Sequence, residues 1–403
     1  MSILEFIDLG EQPIANGFVS QGQLACLNFR EPMFALCAGM CEDTYLVSLM
    51  EFVESRMLFN EHYAYHSSGS QTMRDHFGTI ADMIKEKFDP KRVLEIGSND
   101  GVFLRHFPMD ITASRGSCAV EPCENFAEIT RQMGYRTYND FWDMNLATQI
   151  LDDVGPMDVV YAANCMCHIP NIVAAFSAVE HVLADDGVFI FEDPSLDNML
   201  TRNSYDQIYD EHAHLFSALA LQRLLDMVDL VIYRIDFIPV HGGSQRIYAK
   251  KGCSGAFPIE SSVSQTLSDE WTQGVAHRPT LLEFAKQVEQ SKIELVDLLR
   301  RLKSDGKKII GYGATSKSTV VYNYCGIGPD LIDYVVDTTP NKQGMFTPGT
   351  HIPIISPEDG MNGSVDYAFL GAWNYESEIL AKESAFCDRG GKFITHVPTV
   401  RVI

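Results

Sequence analysis

Short apolar runs recur through the middle of the chain: Arg92-Val93-Leu94-Glu95-Ile96, Ser117-Cys118-Ala119-Val120-Glu121, Asp158-Val159-Val160-Tyr161-Ala162 and Gly187-Val188-Phe189-Ile190-Phe191-Glu192. Such compact apolar runs between turn residues predict strands buried on both faces. The first is followed by a glycine turn and an expected helix, and the alternation of strands with helices predicts a parallel sheet covered on both sides. The segment from Leu230 to Lys251 reads as a hairpin around His241-Gly242-Gly243-Ser244, which adds antiparallel strands to that sheet. An apolar periodicity over Thr280 to Lys303 predicts a helix that leads into a second alternating series. There Lys307-Lys308-Ile309-Ile310-Gly311-Tyr312-Gly313 reads as strand and turn, with further strands at Leu331 to Asp337 and Val365 to Leu370.

Residues 1 to about 75 differ. Asp8-Leu9-Gly10-Glu11-Gln12-Pro13-Ile14-Ala15-Asn16 reads as turn chemistry and Tyr45-Leu46-Val47-Ser48-Leu49 as a strand, in a lobe too small to be very stable alone. The expectation is an α/β protein of three parts: a small β-rich lobe over 1–75, a Rossmann-like domain over 76–253 and a second Rossmann-like domain over 254–403.

With 31 Lys and Arg against 54 Asp and Glu, the formal charge is −23, which excludes the broad basic surface that nucleic acid requires. Any anionic ligand must therefore meet a local cluster of donors. The chain shows no basic-then-apolar leader and no apolar run of membrane-spanning length, so a cytoplasmic enzyme is expected. The 10 cysteines form no regular framework and read as buried thiols, without disulfides.

Glu95-Ile96-Gly97-Ser98-Asn99-Asp100-Gly101 places two glycines at the carboxyl end of a strand, where open α/β sheets bind ligands. Glu121 ends the next strand, in position to accept both hydroxyls of a ribose. That geometry suits either S-adenosylmethionine or a nicotinamide dinucleotide. Two details favour the sulfonium cofactor: the Gly-x-Gly-x-x-Gly spacing is absent, and Glu95 and Asp100 repel phosphate while suiting an ammonium and a sulfonium. Asp140, at the end of the third strand region, could take the adenine amino group.

Several motifs in one order resemble the sugar C-3′-methyltransferases: Asn164-Cys165-Met166-Cys167-His168-Ile169-Pro170, Phe191-Glu192-Asp193-Pro194, Tyr209-Asp210-Glu211-His212 and Pro239-Val240-His241-Gly242-Gly243, then Gly311-Tyr312-Gly313-Ala314-Thr315-Ser316-Lys317-Ser318 and Asp337-Thr338-Thr339-Pro340-Asn341-Lys342-Gln343. The resemblance covers nearly the whole chain. It implies a class I methyltransferase domain using S-adenosylmethionine, held by Glu95, Gly97, Asn99, Gly101, Glu121, Asp140 and Asn164. It further implies a nucleotide-diphospho-4-keto-6-deoxy sugar as substrate, deprotonated at C3 and methylated there, as a step in branched deoxysugar biosynthesis. Carried over by residue, the base is His212, with Glu211 and Tyr209 beside it and His168 and Tyr63 completing the site. A histidine near neutral pKa suits removal of a carbon acid's proton, and a tyrosine or second histidine suits donation to the developing enolate oxygen. His212 and His214 are also compatible with an exposed loop, and the Tyr-x-Glu-His spacing ranks His212 above His214. Either Tyr63 or Tyr65 could face the substrate, alongside His241 and Gly243.

The second glycine turn brings Ser316 and Lys317 to a helix start, with Lys342 further on, as donors for a diphosphate. Asp337 keeps a nicotinamide cofactor open here. An O- or N-methyltransferase and an NAD-dependent oxidoreductase therefore remain the alternatives, and the assembly is expected to be a monomer or homodimer. Family members begin with a zinc domain of two Cys-x-x-Cys pairs, whereas this chain offers Cys26, Cys37 and Cys41, with Thr44 where a second thiol is due. Threonine is a poor zinc ligand, so no structural zinc is expected.

Overall fold

A computed structural model describes residues 2–109 and 116–403. Its central sheet has seven strands, ordered Leu230–Ile238, Ser244–Lys251, Leu183–Pro194, Met157–Ala163, Arg92–Ile96, Gly116–Val120 and Arg136–Tyr138. The last five are mutually parallel; Ser244–Lys251 runs antiparallel to them, and Leu230–Ile238, antiparallel to that strand, returns to their direction. Alternate residues point to opposite faces. Leu94, Val160 and Phe189 pack into one apolar layer and Val93, Val159 and Ile190 into another, so both faces are covered. The helix expected after the first glycine turn is, among the described residues, a single 3-10 turn, Leu104–His106. The Tyr135 hydroxyl lies 2.8 and 2.9 Å from the carbonyls of Leu104 and Phe107, satisfying groups that a longer helix would have bonded internally.

The N-terminal lobe departs further from expectation. Asp8 to Pro13 belongs to one long strand, Ile3–Pro13, and the turn chemistry appears inside it as a bulge. Pairing with Met33–Cys41 slips between Asp8 and Glu11, where Gly10 takes φ +76° and donates its N–H to Asp8 Oδ1 at 2.7 Å. Glu42 to Thr44 form a turn, Tyr45 and Leu46 lead out of it, and the third strand is Val47–Leu49. The fourth strand of this antiparallel sheet, His214–Leu215, comes from the middle of the chain. Its core is shared as well: Leu9 and Leu36 join one cluster with Leu281, Leu295 and Ile332. Docking thus supplies the buried surface that so small a lobe lacks alone.

A large part of that shared core comes from the helix Arg278–Ser304, 27 residues and ~40 Å long, with Leu281, Phe284, Val288, Leu295, Leu299 and Leu302 buried at helical spacing. It packs the N-terminal strand against the third sheet, ordered Ile354–Ile355, Val335–Val336, Ile309–Tyr312, Tyr367–Leu370, Lys392–Thr395 and Arg401–Val402. Only its last pair is antiparallel. Among the described residues, no helix is long and apolar enough to cross a membrane.

Candidate active site

In each α/β sheet the strand order reverses beside the first strand, and the crevice at such a reversal is where ligands bind. In the central sheet it opens between Arg92–Ile96 and Met157–Ala163, in the third sheet between Ile309–Tyr312 and Tyr367–Leu370. One cavity of about 300 Å³ is lined by residues following both, which is room for a small-molecule ligand.

At the end next to the first glycine turn, Gly97, Asn99, Glu121 and Asn164 lie on the cavity wall. Gly97 has φ +74°, and a Cβ there would lie 2.8 Å from Cys165 Sγ, so the close approach of the two loops requires glycine. Asn99 and Asn164 are left-handed too (φ 46° and 49°), a conformation asparagine tolerates. Glu121 accepts the N–H groups of Asn99 at 2.7 Å and Cys123 at 2.8 Å, one on each oxygen, and its remaining lone pairs face the cavity. Burial still pushes its carboxyl up. Asn99 in turn holds the loop above it, accepting Ser67 N–H and donating to the Tyr65 carbonyl.

At the opposite end Tyr63, Tyr65, His168, Tyr209, Glu211, His212 and His241 share the cavity with Ser316, Lys317 and Lys342. His212 is buried, and its Nδ1 lies 2.7 Å from the Gln207 carbonyl. A carbonyl only accepts, so Nδ1 carries the hydrogen and Nε2 keeps the lone pair of a base. Burial, with the charges of His168 and Lys317, holds His212 well below the usual imidazole range. His214 is structural instead: its nitrogens lie 2.8 Å from Ser48 Oγ and 3.1 Å from the Pro170 carbonyl. His168 stacks between Phe59 (centroids 5.3 Å) and His212 (5.4 Å), and burial lowers its pKa to about 4. Its Nε2 is buried without a partner. Tyr63 donates its hydroxyl hydrogen to Glu211 Oε2 at 2.9 Å.

Five sequence-derived candidates are not on this wall. Glu95 is buried beneath it, with burial and then Asp100 and Glu121 pushing its carboxyl well up, so it offers no ready charge to an ammonium. Asp100 is likewise diverted, binding the N–H and hydroxyl of Ser68. Gly101 packs against Thr130 and Met133, and Gly243 (φ +112°) turns the hairpin against Asn198. Asp140 is exposed and accepts its neighbour Phe141 N–H. Sequence reasoning missed Asn16, Phe59, Asn374 and Tyr375, which also line the cavity. The last two follow the strand Tyr367–Leu370 across the crevice, and the rule for ligand positions at strand ends would have found them.

Three family models match the chain: a C-methyltransferase C-terminal domain over 239–398, a methyltransferase domain over 69–235 and a putative zinc binding domain over 2–59. C-methyltransferase NovU from Streptomyces niveus is 32% identical over 403 residues, covering 99% of this chain and 94% of NovU. The chain belongs to the C-methyltransferase family. This C-methyltransferase is an S-adenosylmethionine-dependent enzyme with the class I methyltransferase fold. Solved structures similar to part of it include magnesium protoporphyrin IX methyltransferase from Synechocystis with bound S-adenosylhomocysteine, at 11% identity and TM-score 0.33 over 44% of this chain and 83% of that one. An S-adenosylmethionine-dependent methyltransferase of Thermotoga maritima has 17% identity and TM-score 0.33 over 44% of this chain and 90% of that one.

The zinc-domain match extends to the lobe of this C-methyltransferase, yet the donor set there does not fit a structural zinc. Among the described residues the one group of His, Cys and carboxylates close enough to share an ion is Cys167, His168 and His212, outside the lobe. Cys26 is exposed, and burial and the Asp8 carboxylate push the Cys37 thiol up to about 12, away from the thiolate that zinc requires; Cys41 alone is lowered, by hydrogen bonds to Thr44 and Asp43 that outweigh burial, and one thiolate does not make a four-ligand site.

Proposed function

We propose that the enzyme methylates C3 of a nucleotide-diphospho-4-keto-6-deoxy sugar, with His212 as base. The observation that carries this reading is the His212 tautomer: Nδ1–H held by the Gln207 carbonyl, and Nε2 free in a cavity shared by both crevices. Bound S-adenosylmethionine supplies an electrophilic methyl group and leaves as S-adenosylhomocysteine. His212 Nε2 takes the C3 proton, and the electron pair passes to the C4 oxygen. Tyr63 has one hydroxyl hydrogen, already given to Glu211, so we assign the donation to that oxygen to His168, in the tautomer with its hydrogen on the unpartnered Nε2. C3 then bonds the methyl group and His212 returns its proton to solvent. Lys317 and Lys342 are the cations for the diphosphate in an otherwise acidic chain. Because Lys317 depresses His212, an anion paired with Lys317 relieves that field and makes His212 a stronger base once substrate is bound.

A nicotinamide cofactor fits the second glycine turn less well. Asp337, the candidate ribose acid, binds the N–H groups of Ala314 and Thr339 at 2.8 Å each and is not on the cavity wall. The decisive experiment incubates enzyme and a 4-keto-6-deoxy sugar nucleotide in D₂O without S-adenosylmethionine. Deuterium at C3, and a gain of one methyl at carbon when the cofactor is added, are expected. Methylation without exchange would instead mark an O- or N-methyltransferase. Separately, Glu121→Ala is expected to weaken S-adenosylhomocysteine binding by ~1.5–3 kcal/mol, the range for hydrogen bonds to a charged group. Titration calorimetry checks this, and unchanged affinity would mean that the ribose is held elsewhere.

A further inference from the structure

The loop that leaves the N-terminal strand after Pro13 does not stay with its own lobe. It wedges between the segment carrying Glu211 and the helix Ser316–Cys325: Ala15 N–H donates to Asp210 Oδ2 at 3.1 Å, and Thr319 Oγ1 donates to the Ala15 carbonyl at 2.9 Å. Val19 then pairs with Phe346 through two backbone hydrogen bonds, fixing the far end. Between these anchors Asn16 Nδ2 stands 2.5 Å from Glu211 Oε1 and 2.9 Å from Ser316 Oγ. A carboxylate only accepts, so the amino end of Asn16 must face Glu211.

We infer that Asn16, supplied by the N-terminal lobe, is a positioning residue of the active site that sets the charge and placement of Glu211 and, through it, of the Tyr63 hydroxyl. This rests on the proposed function for its catalytic meaning. Glu211 is buried and has one donor on each oxygen: Asn16 on Oε1 and Tyr63 on Oε2. Burial pushes its carboxyl up, and the hydrogen bonds from Asn16 and Tyr63, then the charges of Lys317 and Lys342 from the C-terminal segment, oppose that and favour its charge. Asp210 and Tyr209 adjoin it on its own segment, with Tyr65, Cys123 and Cys167 nearby, and none of these contributes a positive charge. Removing the Asn16 donor therefore shifts the balance toward the protonated acid. A protonated Glu211 no longer anchors the Tyr63 hydrogen. The lobe thus has a chemical task that requires no metal: it completes the polar chain from Asn16 through Glu211 to Tyr63.

The test is the titration of Glu211 in the full-length enzyme, followed by ¹³C NMR of labelled glutamate carboxyls and assigned with Glu211→Gln. Asn16→Ala is expected to raise the Glu211 midpoint by about one pH unit, and Asn16→Asp by more, because two carboxyls at this spacing cannot both ionise. The acidic limb of kcat/KM moves up by the same amount, while S-adenosylhomocysteine affinity stays within about twofold. Superimposable titrations, or loss of S-adenosylhomocysteine binding in both variants, would overturn the inference, the latter by making Asn16 a folding residue. Failure of the substrate reading looks different: wild type inactive on every 4-keto sugar nucleotide, with the Glu211 midpoint still moving in the variants.

Discussion

His212→Ala is expected to lower C-methylation by about 10²–10⁴-fold, the usual contribution of a positioned general base, and to abolish deuterium exchange at C3. S-adenosylhomocysteine affinity should be nearly unchanged, because the hydrogen bond found for His212 runs to Gln207, not to the loops of Gly97 or Glu121. Exchange is the sharper readout. It reports proton removal before any methyl moves, so a variant that exchanges normally yet methylates slowly would remove His212 from the base role. His214→Ala provides the contrast: its two nitrogens tie Ser48 and the Pro170 carbonyl, so its loss should lower stability more than it alters exchange. Since His212 sits well below the ordinary imidazole pKa, it is neutral and ready as a base throughout the neutral range. Its own acidic limb lies well below the neutral range, and Glu211, whose carboxyl burial pushes up, is the second group expected to shape that limb.

The inner strands of both α/β sheets were legible because they are continuous apolar runs ended by small or polar residues, a pattern that needs no long-range information, whereas the short strands Ile354–Ile355, Lys392–Thr395 and Arg401–Val402 were not. The hairpin and the helix Arg278–Ser304 were legible for the same reason. The N-terminal strand was not. Asp8 and Gly10 form a genuine local turn, but pairing with Met33–Cys41 absorbs it as a bulge, and nothing local distinguishes the two outcomes. The site divides similarly. Residues at strand ends in the two crevices, such as Gly97, Glu121, Asn164 and Ser316, follow from topology. Asn16 reaches the cavity only because the N-terminal lobe folds back against residues some 195 positions later, a contact invisible to spacing. The acidic character of Glu95 and Asp100 was a misleading signal: one is buried below the loop and the other binds Ser68.

Glu192→Ala is expected to destabilise the protein by about 3–5 kcal/mol, the range for breaking a buried ion pair by removing one partner. Glu192 is fully buried at the carboxyl end of its strand, with Oε2 2.6 Å from His76 Nε2 and Oε1 2.6 Å from Arg246 Nε. Burial alone would raise its pKa. The His76 hydrogen bond and the charges of His76 and Arg246 outweigh that and hold it below the ordinary glutamate value. A carboxyl with a depressed folded pKa contributes stability that is full above its unfolded value and is lost as pH falls through the folded one. The cost of the substitution should therefore shrink in acid below about pH 4. His76 lies on the helix Gln71–Phe88 and Arg246 on the neighbouring strand, so the alanine leaves the Arg246 guanidinium without its counter-charge and His76 Nε2 without its hydrogen-bond partner, and loosens three elements at once. The exposed pair Lys307–Asp366, by contrast, should contribute no more than ~1 kcal/mol. Urea denaturation of Glu192→Ala, and of Glu192→Leu with and without Arg246→Leu, checks the argument. The paired leucines should recover much of the loss, since the penalty comes from the stranded charge, and a double variant as unstable as the sum of its singles would show that shape complementarity, not charge, holds these strands to the helix.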